Sequence, residues 1–134
     1  MKYMLDTNIC KFSIKKKSDP LLQHLLKIDP RNICISSITQ SELYYGVSKS
    51  LAQEKNLAAL EKMLTSLNVL PFESAAARCY GEVRADLEKR GKIIGPLDLL
   101  IASHALSLGL VLVTNNVSEF KRVKNLSIED WTVA

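Results

Sequence analysis

YMLDTN, residues 3–8, carries an apolar run straight into a carboxylate at Asp6. The same pattern returns late in the chain, where LVLVT (110–114) gives way to Asn115, Asn116 and, shortly after, Glu119. Four runs read as strands: residues 2–5, 32–36 (NICIS), 67–71 (LNVLP) and 110–114. Between them the spacing predicts helices over 8–17, 20–28, 38–49, 52–66, 73–90 and 97–108, with Leu57, Leu60, Met63, Leu64 and Leu67 marking one apolar face. Strands alternating with helices predict an α/β fold with a mostly parallel central sheet flanked by helices. In such a sheet ligands gather in the crevice beyond the carboxyl ends of the strands, and Asp6 lies at one such end.

A chain of 134 residues, 47% hydrophobic, is long enough for one core and short for two, so residues 1–134 are expected to form a single domain. The net charge of +4 suits an anionic partner such as nucleic acid. No run approaches the roughly 18 apolar residues of a membrane span, so a soluble, cytoplasmic protein is expected. Cys10, Cys34 and Cys79 are odd in number and far apart, and they read as reduced and structural.

Gly91 followed by KIIGP (92–96) predicts a helix stop and a fresh start at Pro96, which puts Asp98 in the first turn of the next helix. Capping accounts for each acid taken singly. Asp6 caps the first helix, Thr39 and Glu42 fit a T-x-x-E capping box, Asp98 suits a helix dipole, and Asn116 with Glu119 resembles another cap. Jointly they place three or four acids at strand ends and helix starts. Carboxylates gathered there repel one another until a cation or protons intervene, and a hard divalent ion suits such oxygen ligands.

Four segments carry a resemblance: MLDTNI (4–9), ISSITQSELYYG (35–46), VRADLEKRGKIIGPLDLLIASHAL (83–106) and LVLVTNNVSEF (110–120). In this order and spacing the chain resembles the PIN-domain ribonucleases and, within them, the VapC toxins of bacterial toxin–antitoxin modules. The resemblance implies a PIN-like sandwich whose acidic pocket binds Mg²⁺ or Mn²⁺. By motif position Asp6 and Asp98 are the direct ligands, and Glu42 is the third acid, acting through water. The family's fourth acid falls on Asn116, a departure that leaves Glu119 to supply the missing carboxylate one turn on. Thr7 is placed to meet that water or a phosphate, and Arg84, in VRADL, to contact a phosphate. The implied activity is metal-dependent endonucleolytic cleavage of single-stranded RNA, with the anticodon loop of initiator tRNA as target and inhibition of translation as outcome. The implied partner is a VapB-like antitoxin that lays an Arg on the carboxylates.

A homodimer is expected from apolar bulk on 38–49, namely Leu43, Tyr44 and Tyr45. Lys11, Lys15, Lys16 and Lys17 read as a solvated helix end, His104 as a hydrogen-bonded core histidine and Trp131 as a core anchor. Arg84 has a surface ion pair with Glu88 as its plain alternative. An aspartyl-nucleophile phosphatase would need Asp where Asn8 stands, and a phospho-acceptor domain a Lys after the last strand. The remaining rival is a non-catalytic binding module on the same fold.

Overall fold

The computed structural model describes residues 1–133. Chain order is β1 (Tyr3–Leu5), α1 (Thr7–Lys15), α2 (Asp19–Lys27), a 3₁₀ turn (Pro30–Asn32), β2 (Ile33–Ser36), α3 (Ser37–Ser48), α4 (Gln53–Thr65), β3 (Asn68–Leu70), α5 (Ser74–Lys89), α6 (Pro96–Ser107), β4 (Val111–Val113), α7 (Val117–Phe120) and β5 (Ile128–Glu129). The five strands form one sheet in the order β3-β2-β1-β4-β5, and every pairing is parallel. Each expected helix and strand is present with its ends within two residues of the expected ones. The short α7 and the two-residue β5 were not expected.

Alternation along the strands builds two layers of core. Met4, Cys34 and Leu112 face α5 and α6, where Val83, Leu87, Leu99, Ile101 and Ala105 meet them. Leu5, Ile33, Ile35 and Val113 face the other way, onto Ile9, Cys10, Leu21, Leu43 and Leu60 of α1 to α4. Both faces are therefore covered, which explains why the strands are continuously apolar instead of alternating with polar residues. Trp131, only 1% exposed, anchors the end of the chain in the second layer.

Helix boundaries have local causes. Ser18 and Asp6 cap α2 and α1 by accepting from Leu21 and Ile9. Gly91, at φ +64°, ends α5 as expected, with Lys92 N–H returning to Leu87 O at 2.9 Å. The Thr39–Glu42 capping box is not formed. Helix α3 starts directly after β2, so Ser36, the last strand residue, takes the cap by accepting from Ile38 at 3.0 Å, and Thr39 is buried inside the helix. The dimer reading also needs correction at Leu43, which is 5% exposed and belongs to the core, whereas Tyr45 is 67% exposed.

All three cysteines are free thiols, and burial raises each above the ordinary thiol range. His104 is buried, with Nδ1 2.8 Å from Ser36 Oγ. Burial lowers its pKa against the opposing effects of Glu73 and the Pro71 backbone, so it is neutral at pH 7. Among the described residues no helix is long and apolar enough to cross a membrane.

Candidate active site

From β1 the chain builds the sheet outward to β2 and β3 on one side, and from β4 to β5 on the other. Neighbouring strands β1 and β4 thus flank the point where strand order reverses, the position at which open α/β sheets hold ligands. Asp6 follows β1 and Thr114 follows β4, and Asp6 N–H donates to Val113 O at 3.0 Å. The sheet itself brings these two residues together.

Asp6 is 3% exposed, and its Oδ1 accepts the Ile9 N–H at 2.9 Å. The cap expected from DTN is real, yet it occupies only one of the two oxygens. Burial raises the Asp6 pKa against hydrogen bonds from the Thr114 hydroxyl and the α1 backbone, and the charge of Glu42 adds to the rise. Thr114, wholly buried, also accepts the Asn116 N–H at 2.9 Å. Its hydroxyl joins the ends of both strands. The only signal for it in the sequence was its position directly after the last apolar run.

Glu42 comes from the second turn of α3. Thr7 Oγ1 donates to Glu42 Oε1 at 2.6 Å and lies 3.4 Å from Thr39 Oγ1. The Thr7 hydroxyl therefore orients Glu42, while Asp6 caps α1. Replacing Thr7 by Val keeps the shape and removes the donor. For the RNA cleavage that the resemblance implies, the expected result is a loss of about 10- to 100-fold, the usual cost of deleting an orienting partner, with Thr7→Ser close to wild type. Rate measurements on both variants, with melting curves to show an unchanged fold, check it.

Asp98 lies in the first turn of α6, half-buried, with no hydrogen bond to its carboxylate among the described residues. Burial, then the charges of Glu119, Asp6 and Glu42, pushes its pKa up to about 6. Glu119 behaves in the opposite way. Its Oε1 accepts the Gly95 N–H at 2.9 Å and its Oε2 accepts Asn116 Nδ2–H at 2.6 Å, and these two bonds, with help from Arg122, hold it below the usual carboxylate range. A methyl group on Gly95 would stand 3.7 Å from Asp98 Oδ2 and 3.8 Å from Glu119 Oε1, so both carboxylates lie against that glycine.

The sequence-predicted acids Asp6, Glu42, Asp98 and Glu119 are thus electrostatically coupled in one place. They do not close on a common point: among the described residues no three His, Cys, Asp or Glu side chains are positioned together to hold an ion. Their chemistry nonetheless suits a hard cation, since Asp98 is a half-buried carboxylate without a donor and Asp6 keeps one oxygen free of its cap. Asn116 and Glu119 hold each other. Arg84 is exposed on α5, where it pairs with Glu88 at 3.4 Å and donates to Tyr80 Oη at 3.0 Å, the surface arrangement of its plain alternative.

A parallel sheet covered on both faces, with coupled carboxylates at its reversal point, defines an acid-site α/β domain. The chain belongs to the PIN domain family, whose model matches residues 3–126. Within that family it is of the VapC type. It is 47% identical over 131 residues to the tRNA(fMet)-specific endonuclease VapC of Salmonella typhimurium, with 98% of each chain covered. It is 48% identical over 132 residues to Ribonuclease VapC2 of Rickettsia felis, again with 98% of each covered. The solved structure of DNA-bound VapBC from Salmonella typhimurium superposes with a TM-score of 0.93 at 47% identity, covering 98% of both chains.

Proposed function

We propose that residues 1–134 act as one Mg²⁺- or Mn²⁺-dependent endoribonuclease domain, the toxin of a type II toxin–antitoxin module, which cuts the anticodon loop of initiator tRNA and so stops translation. The observation that carries the reading is the unpartnered Asp98 carboxylate, raised to about 6 by burial and by Glu119, Asp6 and Glu42 at the β1/β4 crevice. The name of the Salmonella relative, a tRNA(fMet)-specific endonuclease, supports initiator tRNA, and that of the Rickettsia relative supports RNA as the substrate.

Asp6 and Asp98 would hold the ion, with Glu42 as the third acid and Asn116 and Glu119 closing the far side. A divalent ion supplies Lewis-acid stabilisation of charge on the phosphoryl oxygens. Glu42, oriented by Thr7, accepts the proton of the attacking water. Asp6, fixed by its cap and by Thr114, keeps one carboxylate oxygen outside the Ile9 cap. Arg84 would meet a phosphate only after leaving Glu88.

A VapB-like antitoxin would silence the site by placing an Arg among these carboxylates, a charge-assisted pairing that the raised Asp98 favours. The chain would act in the cytoplasm as a homodimer, with Tyr45 and the fully exposed Leu51 in the contact. Light scattering that gives a single-chain mass at micromolar concentration would overturn the dimer.

The product ends test the chemistry. Neither histidine stands at the acids, since His24 is half-buried and stacked on Trp131 at 4.5 Å and His104 is buried and bonded to Ser36, so no imidazole pair is there to drive the RNA's own 2′-hydroxyl onto phosphorus. Attack by water leaves a 3′-hydroxyl and a 5′-phosphate, and a 2′-deoxy sugar at the cleaved position is still cut. End-labelling of fragments with and without phosphatase reads this, in Mn²⁺ and in EDTA. Cyclic phosphate ends that persist in EDTA would sink the proposal, and absence of any cleavage would favour a non-catalytic binder.

A further inference from the structure

One surface beside the acids has no part in the site as described. The end of α5, the loop over residues 91–95 and the segment after α7 carry Lys89, Arg90, Lys92, Lys121, Arg122 and Lys124, all exposed. Among the described residues Asp86 is the single carboxylate paired with any of them, at 2.6 Å from Arg90 and 3.5 Å from Lys124. Glu88, beside Lys89, is taken by Arg84. These six cations make this surface a positive region of the chain, as Lys11, Lys15, Lys16 and Lys17 make another around α1.

The three segments are tied into one surface. Arg90 donates to Asp86 Oδ2 through two of its nitrogens and to Arg122 O at 2.6 Å, and is a strut. Arg122 uses one nitrogen on Ile93 O at 3.1 Å, which leaves most of its five N–H donors free. Two residues beyond Ile93, Gly95 lies against the Asp98 and Glu119 carboxylates. That separation is at most about 7 Å of extended chain. A row of free cations thus runs up to the edge of the carboxylates.

A polyanion brought to a cluster of acids is repelled unless cations nearby offset the field. We propose that this surface is a phosphate track, on which Arg122, Lys121, Lys92, Lys124 and Lys89 hold the substrate's sugar–phosphate backbone to one side of the bond that is cut. The inference rests on the ribonuclease reading and adds where the rest of the RNA lies. The contacts are to phosphates, so the track contributes affinity and orientation and does not select sequence. Lys89, Lys92 and Lys121, without ion pairs among the described residues, suit this role because they give up no partner when the RNA binds, whereas Lys124 gives up its contact with Asp86.

The test compares two triple variants of equal charge loss. Lys92→Gln/Lys121→Gln/Lys124→Gln removes cations from the track, and Lys27→Gln/Lys55→Gln/Lys62→Gln removes exposed cations from α2 and α4. Binding of fluorescently labelled initiator tRNA is followed in EDTA across a salt series, and cleavage in Mn²⁺. The track variant is expected to bind at least 10-fold more weakly at low salt. Its dependence of log affinity on log salt should flatten by about 2, at about 0.7 per phosphate contact on a single strand. KM should rise with kcat held within about twofold, because no group at the acids is altered. The control variant should match the wild type.

Equal losses in the two variants would reduce the effect to overall charge and overturn the track. So would wild-type affinity in the track variant, while wild-type cleavage in the same assay would leave the ribonuclease reading standing. A wild-type protein that neither binds nor cuts RNA would remove both. If the track variant keeps RNA affinity but loses the antitoxin, the surface belongs to an acidic protein segment and the proposal fails.

Discussion

Asp98→Asn and Asp6→Asn are each expected to lower RNA cleavage by about 10²- to 10³-fold or more, the scale of losing one preorganised charge-stabilising group, and neither variant is expected to melt below the wild type. The second half of that result is the less obvious one. Both carboxylates have folded pKa values raised above their unfolded ones, with Asp98 at about 6 against 3.8. A raised acid contributes stability that is complete below the unfolded value and is lost as pH rises through the folded value. Near neutral pH, then, the ionised Asp98 opposes folding. Removing its charge should raise the melting midpoint at pH 7 and flatten the decline in wild-type stability between about pH 4 and 6.

Asn at position 6 can still accept the Ile9 N–H, because Asn caps helices about as well as Asp. The α1 terminus is therefore kept while the charge is lost. Titration calorimetry should show Mn²⁺ binding to the wild type and none to Asp6→Asn. A variant that melts far lower, with cleavage intact in its folded fraction, would make Asp6 a helix cap and nothing else. Glu119 gives the opposite sign. Its lowered pKa stabilises the fold above the unfolded value, and this is lost as pH falls through the folded one, so Glu119→Gln should cost stability at pH 7 where Asp98→Asn does not.

How far such features can be read from sequence depends on what fixes them. Central strands are legible because burial on both faces requires unbroken apolar runs, and LVLV and YML are such runs. Strand β5 is not legible. Its two residues, Ile128 and Glu129, are half-buried and hold their conformation through pairing with Leu112 and Val113.

Asp6 and Asp98 could be placed at a strand end and a helix start from local signals, the helix cap after YML and the Gly-Pro break before residue 96. What joins them could not. The Thr7 bond to Glu42 spans 35 residues, and Thr114 reaches Asp6 because β1 and β4 are neighbours in the sheet. The Thr39–Glu42 capping box failed for a related reason. A local pattern was read correctly as helix, but tertiary packing buried Thr39 and drew Glu42 to Thr7 instead. Leu43 matched the apolar bulk expected at a dimer contact and is core, since the identity of a residue does not tell which face of α3 meets α1 and α4.

Replacing Trp131 by Ala should cost about 3–5 kcal/mol, a large part of the roughly 5–15 kcal/mol that holds a domain of this kind together. The side chain is nearly wholly buried. Its ring stacks on His24 at an interplanar angle of 8°, meets Tyr3 edge-on at 4.9 Å, and its Nε1–H donates to Glu129 Oε1 at 2.9 Å. Truncation would leave a cavity against a histidine whose Nδ1 is already buried without a partner. The damage should also travel inward. Glu129 O accepts the Thr114 N–H at 3.0 Å, and Thr114 is the residue whose hydroxyl meets Asp6, so a loosened β5 releases a support of the acid site. Trp131→Ala should therefore lower the urea midpoint steeply and weaken Mn²⁺ binding in the fraction that remains folded. Trp131→Phe keeps a ring against His24 and Tyr3 and loses mainly the Glu129 bond, about 1 kcal/mol, with the ion affinity retained. If the Ala variant binds Mn²⁺ like the wild type at a temperature where it is still folded, β5 is a buttress of the fold alone and Thr114 holds its place without it.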